Sequence, residues 1–112
     1  MTTILPVDAN DNAIPALRLK VDGSQSITAT SASSARNASA FSDDTKIISV
    51  YATGAVYIRF GESDVVASAT DHYFPEGVYY DFAIGGYGVD HTPYIAVRAV
   101  DSDATVYISE KA

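Results

Sequence analysis

From Thr45 to Phe60 the chain reads TKIISVYATGAVYIRF, two alternating runs on either side of Thr53-Gly54. Ile48, Val50, Ala52, Val56, Ile58 and Phe60 fall on one side of the pattern; Ile47, Ser49, Tyr51, Tyr57 and Arg59 fall on the other. A period of two belongs to extended backbone, whose side chains point alternately to opposite faces. The runs predict two strands closed into a hairpin at Thr53-Gly54. A half-buried strand normally sets apolar residues against polar ones. Here the second side offers tyrosine, isoleucine and arginine, a set enriched where proteins touch proteins.

The same period recurs along the chain. Leu17 to Val21 predicts a strand with Leu17, Leu19 and Val21 inward, Arg18 and Lys20 outward, and a turn at Asp22-Gly23. Ile27 and Ala29 predict a second strand ending about Thr30, and the Ser/Ala-rich remainder to Ala40 reads as loop, helical turn or irregular edge. Gly61 to Asp64 predicts a turn, Val65 to Ser68 a short strand, and Asp71 to Gly77 a loop bent by Pro75 and Gly77. In the strand Val78 to Ile84, Val78, Tyr80, Phe82 and Ile84 share one face, and Tyr79, Asp81 and Ala83 the other. Gly85 to Pro93 is a loop, and Tyr94 to Val100 with Thr105 to Ser109 predicts a final hairpin.

About eight short strands without a helix of any length imply an all-β fold, an antiparallel β-sandwich or jelly-roll-like barrel. Residues 17–112 form this single domain. Residues 1–16 hold Pro6, Pro15 and the polar cluster Asp8 to Asn12, and read as an extended N-terminal arm. Ile4, Leu5 and Val7 are dispersed along it, so it either docks on a partner or frays.

Composition sharpens this picture. The chain is 47% hydrophobic and only 19% charged, against roughly 25% charged in ordinary domains. Low charge agrees with a surface partly covered in an assembly. The net charge is −7 and the seven basic residues are scattered in sequence. No nucleic-acid partner is expected, because phosphate binding needs a clustered basic face. There is no cysteine, which excludes disulfides and thiolate metal sites. The first residues show neither a basic nor an apolar signal region, and no apolar run approaches the roughly 18 residues that cross a bilayer. The expectation is a protein made in a cytoplasm, without a membrane partner. Asn37-Ala38-Ser39 matches a glycosylation sequon, a chance match in that setting.

Chemistry is sparse. His72 and His91 each follow an aspartate in a predicted loop, with no nucleophile elbow or glycine-rich oxyanion loop nearby. Asp8 to Asn12 begins like a calcium loop, but Ala13 and Leu19 stand where glycine and glutamate belong. Asp43-Asp44 and Asp101 with Asp103 read as turn aspartates that hold a hard cation weakly at most. No enzyme activity, metal site or cofactor is expected. Tyr51, Tyr57, Tyr79 and Tyr107 are different, since all four point outward in the predicted pattern. With Arg59 they form a candidate subunit-contact surface, and a homo-oligomer is expected. The alternative is a glycan site at Tyr87, His91 and Tyr94 in the GGYGVDHTPY loop.

Four stretches carry a resemblance: ATSASSARNASAF, VYATGAVYIRFGESDVVASATDHYFPEGVYYDFAIGG, YIAVRAV and TVYISEK. Through them the chain resembles a group of small virion proteins of tailed phages, prophages and gene transfer agents. The resemblance covers most of the chain past Asp22, and its motifs are structural, turn glycines and aromatic strands. It implies a β-rich, non-enzymatic virion protein that partners the major capsid protein or other virion proteins. The implied role is head decoration (cement), with a head-spike or fibre base, or a receptor- or polysaccharide-binding module, as the alternative.

Overall fold

The structure, a computed structural model, describes residues 9–10, 18–86, 88 and 90–111. Its strands are β1 (Leu19–Ala29), β2 (Ala35–Arg36), β3 (Ile47–Ala52), β4 (Val56–Gly61), β5 (His72–Phe74), β6 (Tyr79–Ala83), β7 (Tyr94–Ala99) and β8 (Ala104–Lys111). They form two four-stranded sheets, β1-β8-β3-β6 and β2-β7-β4-β5. β1 pairs antiparallel with β8, β2 with β7, β3 with β6 and β4 with β5. This nesting is that of one long hairpin tipped at β4-β5 and then rolled, so that β3-β8 and β4-β7 also pair. The result is a jelly roll, an antiparallel sandwich of eight strands.

The core is the inward set of both sheets. Ile48, Val50, Ala52, Ile108, Val106 and Ile27 meet Val56, Ile58, Ile95, Val97 and Ala99, with Ile84 and Phe41 closing the side. Phe60, Phe74, Tyr80 and Phe82 fill the β5-β6 edge of the sandwich, where Phe74 and Phe82 make an edge-on contact at 5.2 Å. Among the buried polar groups, Asn37 has no exposed surface. Its Oδ1 accepts from Ile95 N at 2.9 Å and its Nδ2 donates to Ser39 O and Pro93 O. The sequon asparagine is thus a sealed clasp between β2 and β7.

Several expectations are corrected. Thr53-Gly54 does not close a hairpin, because β3 and β4 lie in different sheets. A two-residue hairpin turn needs positive φ, and Gly54 is not among the glycines that adopt it. Its lack of a side chain serves close approach instead: a Cβ there would lie 3.0 Å from Ala104 Cβ. β7 and β8 likewise belong to different sheets, so Asp101 to Asp103 is a crossover and not a hairpin turn. Asp22-Gly23 is a bulge within one strand. Asp22 adopts φ 61°, and five steps along β1 from Leu19 to Ser24 match two along β8. The bulge reverses the expected facing of Leu19 and Val21, which are 69% and 86% exposed, while Lys20 turns to Asp44. Leu17 lies outside the described residues. Val65 to Ser68 is no strand, and His72–Phe74, expected as loop, is one.

Candidate interaction face

The two outer faces of the sandwich are not alike. On the sheet β2-β7-β4-β5, residues 62–71 leave β4 and strap back across the sheet. Ala67, buried, donates its N–H to Ser34 Oγ beside β2 at 2.8 Å. Asp71 accepts from Ser68 N at 2.7 Å and lies 3.7 Å from Arg59 Nη1. Ala96, which points outward on β7 between Arg36 and Arg59, has no exposed surface under this strap.

The outer face of β1-β8-β3-β6 has no such cover among the described residues. Tyr51 on β3 lies directly opposite Tyr79 on β6 and Tyr107 on β8, and Tyr107 lies opposite Ser26 on β1. One aromatic row therefore crosses the sheet. The next row is Ser24, Ser109, Ser49 and Asp81, in which Ser49 Oγ donates to Asp81 Oδ1. Tyr79 is 74% and Tyr107 52% exposed, and Tyr51 is half-buried beside Tyr79. A groove of about 340 Å³ lies along the second row, bounded by Leu19, Tyr79, Asp81 and Lys111. An exposed tyrosine row flanked by small serines suits a flat partner: the rings supply apolar area and their hydroxyls a polar handle.

The expected contact residues divide accordingly. Tyr51, Tyr79 and Tyr107 come together, whereas Tyr57 and Arg59 sit on the opposite, strapped sheet, so the single tyrosine-rich face expected from the sequence is corrected to these three rings. The split follows from the crossover at Thr53-Gly54, which sends the two halves of the alternating pattern to different sheets. Tyr57 pairs there with Tyr73, their rings edge-on at 6.1 Å. Tyr73 was missed because its segment reads as loop; only the pairing with β4 identifies it. Ile4, Leu5 and Val7 lie outside the described residues.

Of the alternative glycan set, Tyr87 lies outside the described residues. His91 is half-buried, its Nε2 2.9 Å from Ser42 O. The Tyr94 ring carries Arg36 4.3 Å above its centroid. Both are engaged within the domain rather than presented together.

Beside the groove, at the open end of the sheet, a polar knot ties β8 to the segment before β3. Buried Glu110 accepts from Thr45 Oγ1 at 2.7 Å and Ser42 N at 3.0 Å. Lys20 Nζ donates to Asp44 Oδ1 at 2.9 Å. The Ser42 hydroxyl, and then Lys20, hold the Asp44 carboxyl down at about 2. Among the described residues no three His, Asp or Glu side chains gather to hold a metal ion, and no helix is long and apolar enough to cross a membrane.

No protein-family model matches the chain, and no curated protein or solved structure matches it either.

Proposed function

We propose that this protein is a structural subunit of a phage-like virion, a decoration (cement) protein that binds the outer head surface and works through contact rather than catalysis. The observation that carries the reading is the uncovered row Tyr107, Tyr51 and Tyr79 on one sheet, opposite a sheet strapped by its own chain. A lone domain has little reason to hold a row of Tyr79 and Tyr107 in water while covering part of its other face with its own chain. A contact surface has every reason, since tyrosine is among the residues that dominate interface energies. The sequence resemblance supplies the virion setting, and the jelly roll is an architecture that virion domains use among others.

In this reading the tyrosine face and the arm of residues 1–16 cover apolar surface on neighbouring subunits. Many copies act together on one shell, so a modest energy per subunit suffices to resist expansion. The net charge of −7 suits a position outside the shell, away from packaged nucleic acid.

The test is co-sedimentation of the tagged chain with particles from cells that encode it. Tyr79→Ser/Tyr107→Ser is expected to fold and to leave the particles. Undiminished loading of that variant would refute the reading.

A further inference from the structure

The tyrosine face, read above as a contact surface, has a charge pattern that names one partner. Its outward residues are Ser24, Ser26 and Thr28 on β1; Thr105, Tyr107, Ser109 and Lys111 on β8; Ile47, Ser49 and Tyr51 on β3; and Tyr79, Asp81 and Ala83 on β6. In a chain carrying fourteen acidic and seven basic residues, this face holds one of each, Asp81 and Lys111. They line the same groove and form no ion pair with each other or with another described residue. Lys111 stands on β8 and Asp81 on β6, two strands apart with β3 between them.

We propose that the face is an isologous dimer interface, in which a second copy of this chain packs its tyrosine row on the first across a two-fold axis. The inference rests on the contact reading of this face and narrows it: the neighbouring subunit that the tyrosine row covers is a second copy of this chain, and contact with the shell falls to other surfaces of the pair. A two-fold contact must be self-complementary. Two copies at −7 repel over most of their surfaces, so they meet best where each is neutral. The axis sets Asp81 of one copy against Lys111 of the other, twice, around a centre of tyrosine rings and serine hydroxyls. Charges at the edge of such a contact fix its register and exclude other partners more than they add raw affinity. Leu19, exposed at the groove mouth, is covered in the same step.

The experiment is sedimentation equilibrium of the full chain with a charge exchange. Wild type is expected to dimerise with a Kd below about 0.1 mM. Asp81→Lys and Lys111→Glu alone should each weaken the dimer about tenfold, and the two together should restore it to within about threefold. Tyr79→Ser, which leaves every charge in place, should also give a monomer. A monomeric wild type, or a double exchange no better than either single one, would overturn the proposal. A monomer that still loads onto particles would overturn the dimer and leave the decoration reading standing. A dimer that never loads would support the dimer and remove the decoration reading.

Discussion

Tyr51 and Tyr79 face each other across β3 and β6, with ring centroids 4.7 Å apart and planes tilted by 40°. Tyr79, on the edge strand, is largely in solvent, whereas Tyr51, on the inner strand β3, is half-buried. The two should therefore respond differently to truncation. Tyr79→Ser should cost the fold no more than about 1 kcal/mol, the value of an exposed cross-strand aromatic pair. Tyr51→Ser should cost more, about 1–2 kcal/mol, because it also uncovers apolar surface. Urea unfolding of the protein distinguishes these, and equal losses would contradict the difference in burial.

The crossover from β3 to β4 gives a second test. A Cβ on Gly54 would meet Ala104 Cβ at 3.0 Å, and Ala104 is buried. Gly54→Ala should destabilise by about 1–3 kcal/mol through overpacking. Adding Ala104→Gly should recover much of that loss, although glycine in a strand alone costs about 0.5–1 kcal/mol. Additive losses in this double-mutant cycle would mean that the two sites are not in contact.

These positions show what the sequence disclosed. Period-two alternation placed Ile48, Val50, Ala52, Val56 and Ile58 in the core correctly, because the inward parity of a strand is written in its own residues. It also indicated an antiparallel all-β sandwich and the outward facing of Tyr51, Tyr79 and Tyr107. The total of eight strands agrees only because β1 reads as two strands and Val65 to Ser68 as another, while β2 and β5 read as loop. Sheet membership was not legible, since Thr53-Gly54 suits a hairpin and a crossover equally and only the contact with Ala104 selects between them. Leu19 and Val21 read as inward because a bulge leaves no mark on alternation except an aspartate and a glycine, which also spell a turn. The strap misleads for the opposite reason: Val65 and Val66 look like strand, yet a turn bond from Val65 N to Glu62 O and the Ser34 hydroxyl on Ala67 N hold that segment instead.

Glu110 ties β8 to Ser42 and Thr45, and its role is that of an acceptor. Glu110→Leu leaves the Ser42 N–H and the Thr45 hydroxyl without that acceptor and should cost about 1–3 kcal/mol. Glu110→Gln keeps an oxygen in place and should cost clearly less. Thermal unfolding at neutral pH measures both. If glutamine proves as damaging as leucine, the carboxylate charge and not the acceptor matters.

Asp44 offers a local pH test. Its carboxyl is lowered from 3.8 to about 2, first by the Ser42 hydroxyl and then by Lys20. A depressed folded value means that the contribution is complete above the ordinary aspartate range and is lost as pH falls toward about 2. NMR titration of the Asp44 side-chain carboxyl should show this midpoint. Ser42→Ala should raise it more than Lys20→Met does, and the reverse order would contradict the assigned causes.

The central claim is that the tyrosine row is covered in the assembled state. Tyr73, on the opposite sheet, is 56% exposed in the lone chain and Tyr107 52%, so Tyr73 serves as an internal reference. Hydroxyl-radical footprinting of intact particles, read by mass spectrometry, compares these rings directly. Tyr79 and Tyr107 should be labelled several-fold less than Tyr73. If Tyr79 and Tyr107 react as readily as Tyr73 in the particle, the face is wet and the account is wrong.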